Sequence, residues 1–261
     1  GPIMPDLIEG FAGGRSQILP GISDEITMQG LYTYDRVGNK NVAYGITRDN
    51  PFHMAGMQAM QMAGADYAFC VLLTGEGEVA EIVSGDAGQA TMASIDKLRD
   101  KMGVNLKEPM DIVVTSGGGS PYDCTFFHAI GVMSAMKPIL KDDATIVITY
   151  EMTEGFGPDP LRNLLLSMRS PARFEENFSN DETFTPGQWI AHRLFDIVKK
   201  HEVIVYCETI PDQELWQAGL TPTKDVQEAI EVAMQGHGQR CKIAALPEGP
   251  FSIPQLQLPG R

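Results

Sequence analysis

The second half of the chain alternates between short, wholly apolar runs and longer stretches of helical periodicity. The pattern predicts strands over 111–115, 144–150, 202–207 and 242–246, with helices over 123–140, 160–168, 188–201 and 224–235. Continuous apolar strands separated by helices are typical of a mainly parallel sheet with helices on both faces. We therefore predict an α/β domain over residues 109–261.

The first half has a different pattern. Residues 1–50 are rich in glycine and predict loops with short helical pieces. Pro51 begins a predicted helix, and its methionines recur at near-helical spacing, which core packing explains: Met54, Met57, Met60 and Met62. A hairpin is predicted over 66–84 and a helix over 86–101. A polar break at 103–108 then closes a smaller α+β portion, residues 1–108.

Composition narrows the classes of function. The net charge of −14 argues against a general nucleic-acid binder and against binding to anionic membranes. No apolar run approaches the roughly 20 residues of a membrane span, and no signal-peptide pattern opens the chain, so a cytoplasmic location is predicted. The four cysteines form no C-x-x-C pair and are interpreted as free thiols.

The glycine loop Ser116-Gly117-Gly118-Gly119 is the most informative local feature. It follows a predicted strand and precedes a predicted helix, and ligands in open α/β sheets bind beyond the carboxyl ends of the strands. The loop is interpreted either as a tight structural turn or as a site where backbone approaches an anion. Asp123 is a second candidate, as a ligand contact or as the cap of the following helix.

Other polar residues near the predicted strand ends are less specific. Glu151 and Glu154 follow the second strand of the domain and could bind a metal, exchange protons or face water. His128 is a candidate acid or base, or a structural histidine of its helix. The histidine spacing of metal-binding motifs is lacking, so no protein-only metal site is predicted. The lack of a G-x-S-x-G motif argues against Ser-His-Asp catalysis.

Several segments together resemble the nickel-dependent lactate racemase family. Residues 111–123 (DIVVTSGGGSPYD) resemble the segment that opens its C-terminal domain. In the same order along the chain, further similar segments are GGRSQILPG at 13–21, Asn50-Pro51, Gly85-Asp86, EGFG at 154–157, Trp189 and ALPEGP at 245–250. The resemblance implies a two-domain α/β protein that uses a nickel-pincer nucleotide, derived from nicotinic acid, to move a hydride at C2 of 2-hydroxy acids.

The resemblance also implies roles for individual residues. It places Gly13, Gly14 and Ser16 in the cofactor-binding segment and Asp6 where the family has an acid–base histidine. In the C-terminal domain it implies that His128 acts as an acid or base, replacing a substrate-contacting glutamine. It further implies that substrate is bound by Ser116, Gly117, Gly118, Gly119, Asp123 and Trp189.

Besides Asp6 and His128, three positions depart from the family pattern. Ser16 stands where the family has the lysine that carries the cofactor, Gly131 stands where it has a further lysine, and the family's nickel-binding histidine falls near Tyr32. These departures argue against the nickel-pincer nucleotide in this chain.

Two hypotheses follow from the sequence. The first is a racemase or epimerase of a 2-hydroxy acid, or related chemistry, with a missing N-terminal half supplied by a longer chain or a partner chain. The second is a non-catalytic or repurposed protein that binds a small carboxylate or phosphate metabolite. The ordered resemblance supports the first, whereas Ser16 and Gly131 support the second.

Overall fold

The computed structural model describes residues 1–167, 170–179 and 184–257. It divides into two compact units, Gly1–Gly103 and Val104–Arg261. The cofactor-side role predicted for residues 1–108 and the domain predicted for 109–261 stay predictions.

The first unit combines two small antiparallel sheets with four helices and a 3-10 turn at Gly14–Gln17. Its elements in chain order are β1 (Met4–Asp6), β2 (Gly10–Ala12), α1 (Glu25–Leu31), α2 (Tyr34–Val37), α3 (Pro51–Met62), β3 (Tyr67–Leu73), β4 (Val79–Asp86) and α4 (Ala87–Met102). The strands pair as β1 with β2 and β3 with β4. This confirms the predicted hairpin and the helix that follows it.

Helix α3 begins at Pro51, as predicted, but of its four methionines only Met60 belongs to its buried face. Met54 and Met62 are 59% and 81% exposed, so the core-packing interpretation is wrong for these two. The buried residues of the helix are Phe52, His53, Gly56 and Met60. Gly56 belongs to that face because the side chain of the buried Arg15 packs against it, which the methionine spacing does not reveal.

The second unit contains seven strands and six helices within the described residues, with 3-10 turns at Lys137–Ile139 and Gly249–Phe251. In chain order they are β5 (Gly103–Leu106), β6 (Met110–Ser116), α5 (Phe126–Met136), β7 (Leu140–Thr149), α6 (Asp159–Ser167), α7 (Pro171–Phe178), α8 (Gln188–Val198), β8 (Glu202–Tyr206), α9 (Asp212–Gln217), β9 (Thr221–Thr223), α10 (Val226–His237), β10 (Ile243–Leu246) and β11 (Ile253–Leu256).

Five of these strands form a parallel sheet in the order β10-β6-β7-β8-β9. The chain moves from β6 to β9 in one direction and then returns to place β10 on the other side of β6. Because parallel crossovers are right-handed, this return puts α10 on the opposite face from α5. The side chains of Ile112, Val147 and Ile204 accordingly form one buried cluster with Ala229 and Ala233 of α10. Helices cover both faces, which confirms the predicted fold class.

The structure corrects several boundaries. The segment 103–108 was expected to be a polar break, but β5 lies there and pairs with β11, and the Leu106 carbonyl accepts a hydrogen bond of 2.7 Å from the Gln257 amide. Helix α5 begins at Phe126, so Asp123 precedes it. Helix α6 ends at Ser167 in the structure, and Met168, the last residue of the predicted helix, lies outside the described residues.

None of the helices within the described ranges has both the length and the apolar character that a membrane span requires.

Candidate functional site

The carboxyl ends of β6 and β10 are joined by side-chain and main-chain hydrogen bonds. The Thr115 hydroxyl donates to the Leu246 carbonyl at 2.8 Å, and the Ser116 hydroxyl donates to the Pro247 carbonyl. Gly117 then pairs with Glu248 in an isolated antiparallel bridge. The strand order reverses between β6 and β10, which is the place where open α/β sheets bind ligands. The glycine loop is therefore held at the switch point by the segment after β10.

The glycines of this loop are required by its geometry. A Cβ atom on Gly117 would come closer than 3.0 Å to Asp123 Cβ and to the Tyr150 ring. Gly118 and Gly119 have φ angles of +75° and +81°, in the left-handed region that favours glycine. The loop thus brings its backbone against Asp123 and Tyr150 and leaves an open space in front of Gly119.

That space is a cavity of about 320 Å³ between the loops that follow β6, β7 and β8. Three of its lining residues carry carboxylates, and none of the described residues that line it is lysine, arginine or histidine. A negatively charged lining disfavours the anion that a glycine loop alone would suggest. The lining consists of Ser116, Gly117, Gly119, Asp123, Thr149, Tyr150, Glu151, Tyr206, Glu208 and Thr209.

Asp123 is the most deeply placed of these carboxylates. It is only 8% exposed, and its Oδ1 has no hydrogen-bond partner among the described residues. Its main-chain carbonyl accepts a hydrogen bond from the Met152 amide at 2.8 Å, which ties it to the loop after β7. It does not cap α5, whose N-cap residue is Thr125. Burial, together with the nearby charge of Asp123, raises the pKa of the Tyr150 phenol, which stays protonated at neutral pH.

The other two carboxylates lie at the exposed rim of the cavity. The Tyr206 hydroxyl donates to Glu208 Oε1 at 2.6 Å. The Thr209 hydroxyl donates to the main-chain carbonyl of Glu151 at 2.8 Å, so the loops after β7 and β8 are joined. The glutamate side chains therefore face the opening while their backbone is fixed.

Three predicted site residues of this unit are not part of the cavity lining: Gly118, His128 and Trp189. His128 is exposed on the first turn of α5, where its Nδ1 lies 3.1 Å from the Thr125 hydroxyl. Partial desolvation lowers the pKa of His128, against the opposing charge of Glu154. Trp189, on α8, stacks on Phe184 with ring centroids 5.8 Å apart. The predicted roles of these three residues stay predictions.

In the first unit, Ser16 belongs to a buried polar cluster. Its hydroxyl donates to Glu9 Oε2 at 2.5 Å, and Arg15 Nη2 lies 3.5 Å from the same oxygen. Arg15 is fully buried and donates to the main-chain carbonyls of Glu9 and Phe11. Its Nε and Nη1 have no hydrogen-bond partner among the described residues. Glu9 and Arg15 were missed from the sequence because nothing in a charged residue's neighbours along the chain reveals that it is buried.

The remaining predicted residues of this segment have mainly structural surroundings. Asp6 Oδ1 accepts hydrogen bonds from the Ile8 and Glu9 amides at 2.8 and 2.6 Å, which fixes the turn between β1 and β2. Gly13 and Gly14 have positive φ angles and approach Pro2 and Thr91 closely. These contacts explain the residue types without a bound cofactor, and the predicted catalytic and cofactor-binding roles stay predictions.

The residues present do not fit a nickel-pincer nucleotide attached through a lysine. Ser16 has no amine, and its hydroxyl is already bonded to the buried Glu9. Tyr32, near which the resemblance places the family's nickel-binding histidine, is 5% exposed and packs on Phe52 with ring centroids 4.9 Å apart. Within the described ranges, no three His, Cys, Asp or Glu side chains are grouped so that they could hold a metal ion.

Comparisons with known proteins agree with the resemblance in the sequence. The model of the family described as the lactate racemase C-terminal domain matches residues 105–253. A lactate racemase from Thermoanaerobacterium thermosaccharolyticum is 27% identical over 95% of this chain and 59% of its own length. One from Lactiplantibacillus plantarum is 24% identical over 92% of this chain and 57% of its own length. The chain thus spans about three fifths of the curated relatives that it matches.

Solved structures show the same fold. The lactate racemase apoprotein from T. thermosaccharolyticum superposes with a TM-score of 0.91 and 25% identity, covering 97% of this chain and 61% of that one. A protein from Thermotoga maritima superposes with a TM-score of 0.70 and 14% identity over 98% of this chain and 65% of its own, which supports the fold alone. Since the family match covers more than half of the residues, this chain belongs to the lactate racemase family through its C-terminal domain.

Proposed function

We propose that this chain is a repurposed member of the lactate racemase family. It binds a small polar metabolite at the carboxyl edge of its parallel sheet and does not carry a lysine-tethered nickel-pincer nucleotide. The observation that carries the proposal is the hydrogen bond of 2.5 Å from the Ser16 hydroxyl to Glu9, at the position where the resemblance places the cofactor lysine.

The surroundings of Ser16 support this proposal. Glu9 is 6% exposed and Arg15 is fully buried, and Arg15 Nη2 lies 3.5 Å from the Glu9 oxygen that accepts from Ser16, so the Ser16 hydroxyl belongs to a buried polar group within the chain. A tethered nucleotide would have to disturb this buried pair, and leaving one buried partner uncompensated costs about 3–5 kcal/mol. A hydroxyl also lacks the nucleophilic amine through which a lysine forms such a linkage.

The cavity at the ends of β6, β7 and β8 supports the binding part of the proposal. It lies beside the topological switch point, and it combines exposed glycine backbone with side-chain acceptors. Asp123, which is 8% exposed, lines the cavity, and a ligand that donates hydrogen bonds would find a carboxylate acceptor there.

A racemase or epimerase of a 2-hydroxy acid is the second candidate. Lactate racemases at 24% and 27% identity, matched over more than nine tenths of this chain, favour it. In this candidate His128 and Asp6 exchange protons with the substrate, and a longer chain or a partner chain supplies the missing N-terminal half. Asp6, however, already accepts two backbone hydrogen bonds through Oδ1.

Co-expression with the enzymes that make the nickel-pincer nucleotide separates the two candidates. The lactate racemase from T. thermosaccharolyticum, expressed in the same way, is the positive control. For this chain we expect an unmodified intact mass and no stoichiometric nickel, whereas the racemase candidate requires the nucleotide to be attached to this segment. A covalent adduct that contains nickel would support the racemase candidate and overturn the proposal.

The binding function is tested with a thermal-shift screen of small cationic, neutral and anionic metabolites. A bound ligand raises the melting temperature in proportion to its occupancy. We expect at least one compound to stabilise the protein, and we expect Asp123→Asn to abolish that stabilisation. If no compound of any charge class stabilises the protein, the binding function is contradicted.

A further inference from the structure

Core packing explains only part of the methionine pattern of α3. Met60 belongs to the buried face of the helix, whereas Met54 is mostly exposed. Met54 and Met57 line an open cavity of about 600 Å³ in the first unit, together with the buried His53. Met62 is also exposed but is not part of the cavity lining. The cavity therefore brings together two of the four methionines and the histidine of the helix.

The three side chains come from neighbouring positions on the surface of one helix. Met57 lies four residues after His53 and three after Met54, and residues at these spacings have Cβ atoms about 5–6 Å apart. The start of the helix is fixed by Asn50, whose Oδ1 accepts hydrogen bonds from the Phe52 and His53 amides. Methionine side chains are flexible and can turn their sulfur atoms toward the histidine ring. The spacing therefore allows one small ion to contact all three side chains.

We propose that His53, Met54 and Met57 bind a soft monovalent metal ion, of which Cu(I) is the biological example. Among the metals of proteins, thioether sulfur favours soft ions such as Cu(I), and imidazole is also a ligand for copper. Nδ1 of His53 is enclosed by protein, so Nε2 is the ring nitrogen that an ion in the cavity could reach. The site lies in the first unit and is independent of the metabolite site proposed at the parallel sheet.

The charge of the cavity favours a monovalent ion over a divalent one. None of its described lining residues is a carboxylate, and hard divalent cations need about six oxygen ligands. The charged residue in the described lining is Arg36, whose guanidinium is bonded to main-chain carbonyls at the end of α1. The charges of Arg15 and Arg99 also act on His53. Since Coulomb repulsion grows with the charge of the ion, neutral sulfur and nitrogen ligands beside these arginines suit a single positive charge.

NMR of isotope-labelled methionine methyl groups tests the site directly. The methyl signals are assigned from the single variants Met54→Leu, Met57→Leu and Met62→Leu. The probe is silver nitrate in a chloride-free buffer, because Ag(I) shares the preference of Cu(I) for sulfur and is not oxidised by air. We expect one equivalent of silver to shift the signals of Met54 and Met57 and to leave that of Met62 in place. Met62 is the matched control for a methionine that is merely exposed on the same helix.

Competition with a colorimetric Cu(I) chelator, with ascorbate as reductant and without oxygen, measures the affinity for Cu(I). Thiols also bind Cu(I), so the two partly exposed cysteines are removed in a Cys124→Ser, Cys241→Ser background. Met57→Leu removes a sulfur at nearly constant volume and is expected to weaken binding by about ten-fold or more, a loss that even residues which only orient a ligand can cause. Met54→Leu should do the same at an exposed position, where folding is not at risk. The affinity of Met62→Leu should stay within experimental error of the background protein.

Three results would overturn the inference. The first is an unchanged spectrum with one equivalent of silver, or a shift of Met62 as large as those of Met54 and Met57. The second is an affinity for Cu(I) that neither Met54→Leu nor Met57→Leu weakens. The third is a response to zinc sulfate or nickel sulfate as large as the response to silver, since we expect neither divalent ion to shift the methyl signals. None of these results bears on the metabolite site, which the thermal-shift screen tests separately.

Discussion

Glu9 is a buried acid whose charge state is set by its surroundings. Burial raises its pKa to about 7, the charge of Asp6 adds to this, and Ser16 and Arg15 oppose it. A raised pKa means that the folded protein binds the proton more tightly than the unfolded chain does. The stabilisation from that proton is therefore fully present below the unfolded pKa of 4.5 and is lost as the pH rises through about 7.

We therefore predict that Glu9→Gln becomes more stable relative to the parent protein as the pH rises from 5 to 8. The shift of Glu9 from 4.5 to about 7 corresponds to a relative change of about 3 kcal/mol in the free energy of unfolding. Urea unfolding at several pH values measures it.

Two controls isolate the effect of Glu9. Burial lowers the pKa of His53 to about 4, with Arg15 and Arg99 contributing. The stability that the folded protein gains from neutral His53 is therefore lost as the pH falls from 6.5 toward 4. This response is common to both proteins and cancels in their difference. Glu76→Gln, which removes a carboxylate from an exposed turn of the hairpin, is the matched control for the loss of a glutamate charge. A pH-independent difference between Glu9→Gln and the parent protein would contradict the prediction.

Among single residues, the sequence identified candidates that follow a predicted strand. The glycines at 117–119 and Asp123 were identified because they follow an apolar strand, and the structure places Gly117, Gly119 and Asp123 in the cavity lining. Glu9 and Arg15 were not identified. Arg15 is buried against Gly56 of α3, which lies far along the chain from it, and Glu9 lies beside Arg15.

Helix α3 begins at a buried N-cap residue that also bonds to other segments. Asn50 is fully buried, and its Oδ1 accepts from the Phe52 and His53 amides at 2.9 and 3.2 Å. Its Nδ2 donates to the carbonyls of Ile8 and Ile46 at 2.8 and 2.9 Å. One side chain therefore begins the helix and attaches it to two earlier segments of the same unit.

We predict that Asn50→Ala destabilises the first unit by about 3 kcal/mol, since the change removes a cap and leaves buried groups unpaired. Asp86→Ala is the matched control, because Asp86 caps α4 from an exposed position with one bond of 2.9 Å to the Gln89 amide. It should cost only about 1 kcal/mol. Equal losses in urea unfolding would show that the contacts of Asn50 with Ile8 and Ile46 contribute nothing.

Long helices and strands with a periodic pattern could be predicted from the sequence. Short strands that depend on pairing with distant residues could not. The sequence signalled the start of α3 because Asn50-Pro51 is a typical cap and first turn. Strands β5, β9 and β11 have three or four residues each and too little alternation to detect. Their strand conformation comes from pairing with residues far away in the chain, which a local pattern cannot contain.

For the whole molecule, the sequence predicted a mainly parallel sheet but not the order of the strands in it. Alternating strands and helices indicate a parallel sheet, whereas the return of β10 to the far side of β6 depends on tertiary packing. That return creates the switch point where the glycine loop lies. The sequence thus indicated the loop beside which the cavity lies, while the negative charge of the cavity lining emerged only when three loops were brought together.

The pairing of β5 with β11 makes a prediction about where the second unit begins. Residues 104–261 form one compact unit, whereas the polar break had placed the start of the domain at residue 109. A chain of residues 109–261 would lack β5 and leave β11 without its partner strand. It would also lose the bond from the Gln257 amide to Leu106 and that from Gln255 Nε2 to Asn105 Oδ1, at 2.7 and 2.8 Å.

We therefore predict that residues 104–261, expressed alone, are more stable to urea than residues 109–261 by about 2 kcal/mol, the sum of a few net hydrogen bonds of about 1 kcal/mol each. Both chains retain β6 through β10, so both should give the circular dichroism of an α/β fold. The Gln255→Ala variant of the longer chain should lose only a small part of the difference, because that side-chain bond is exposed. Equal stability of the two chains would show that β5 contributes nothing to the unit and that the polar break is its true boundary.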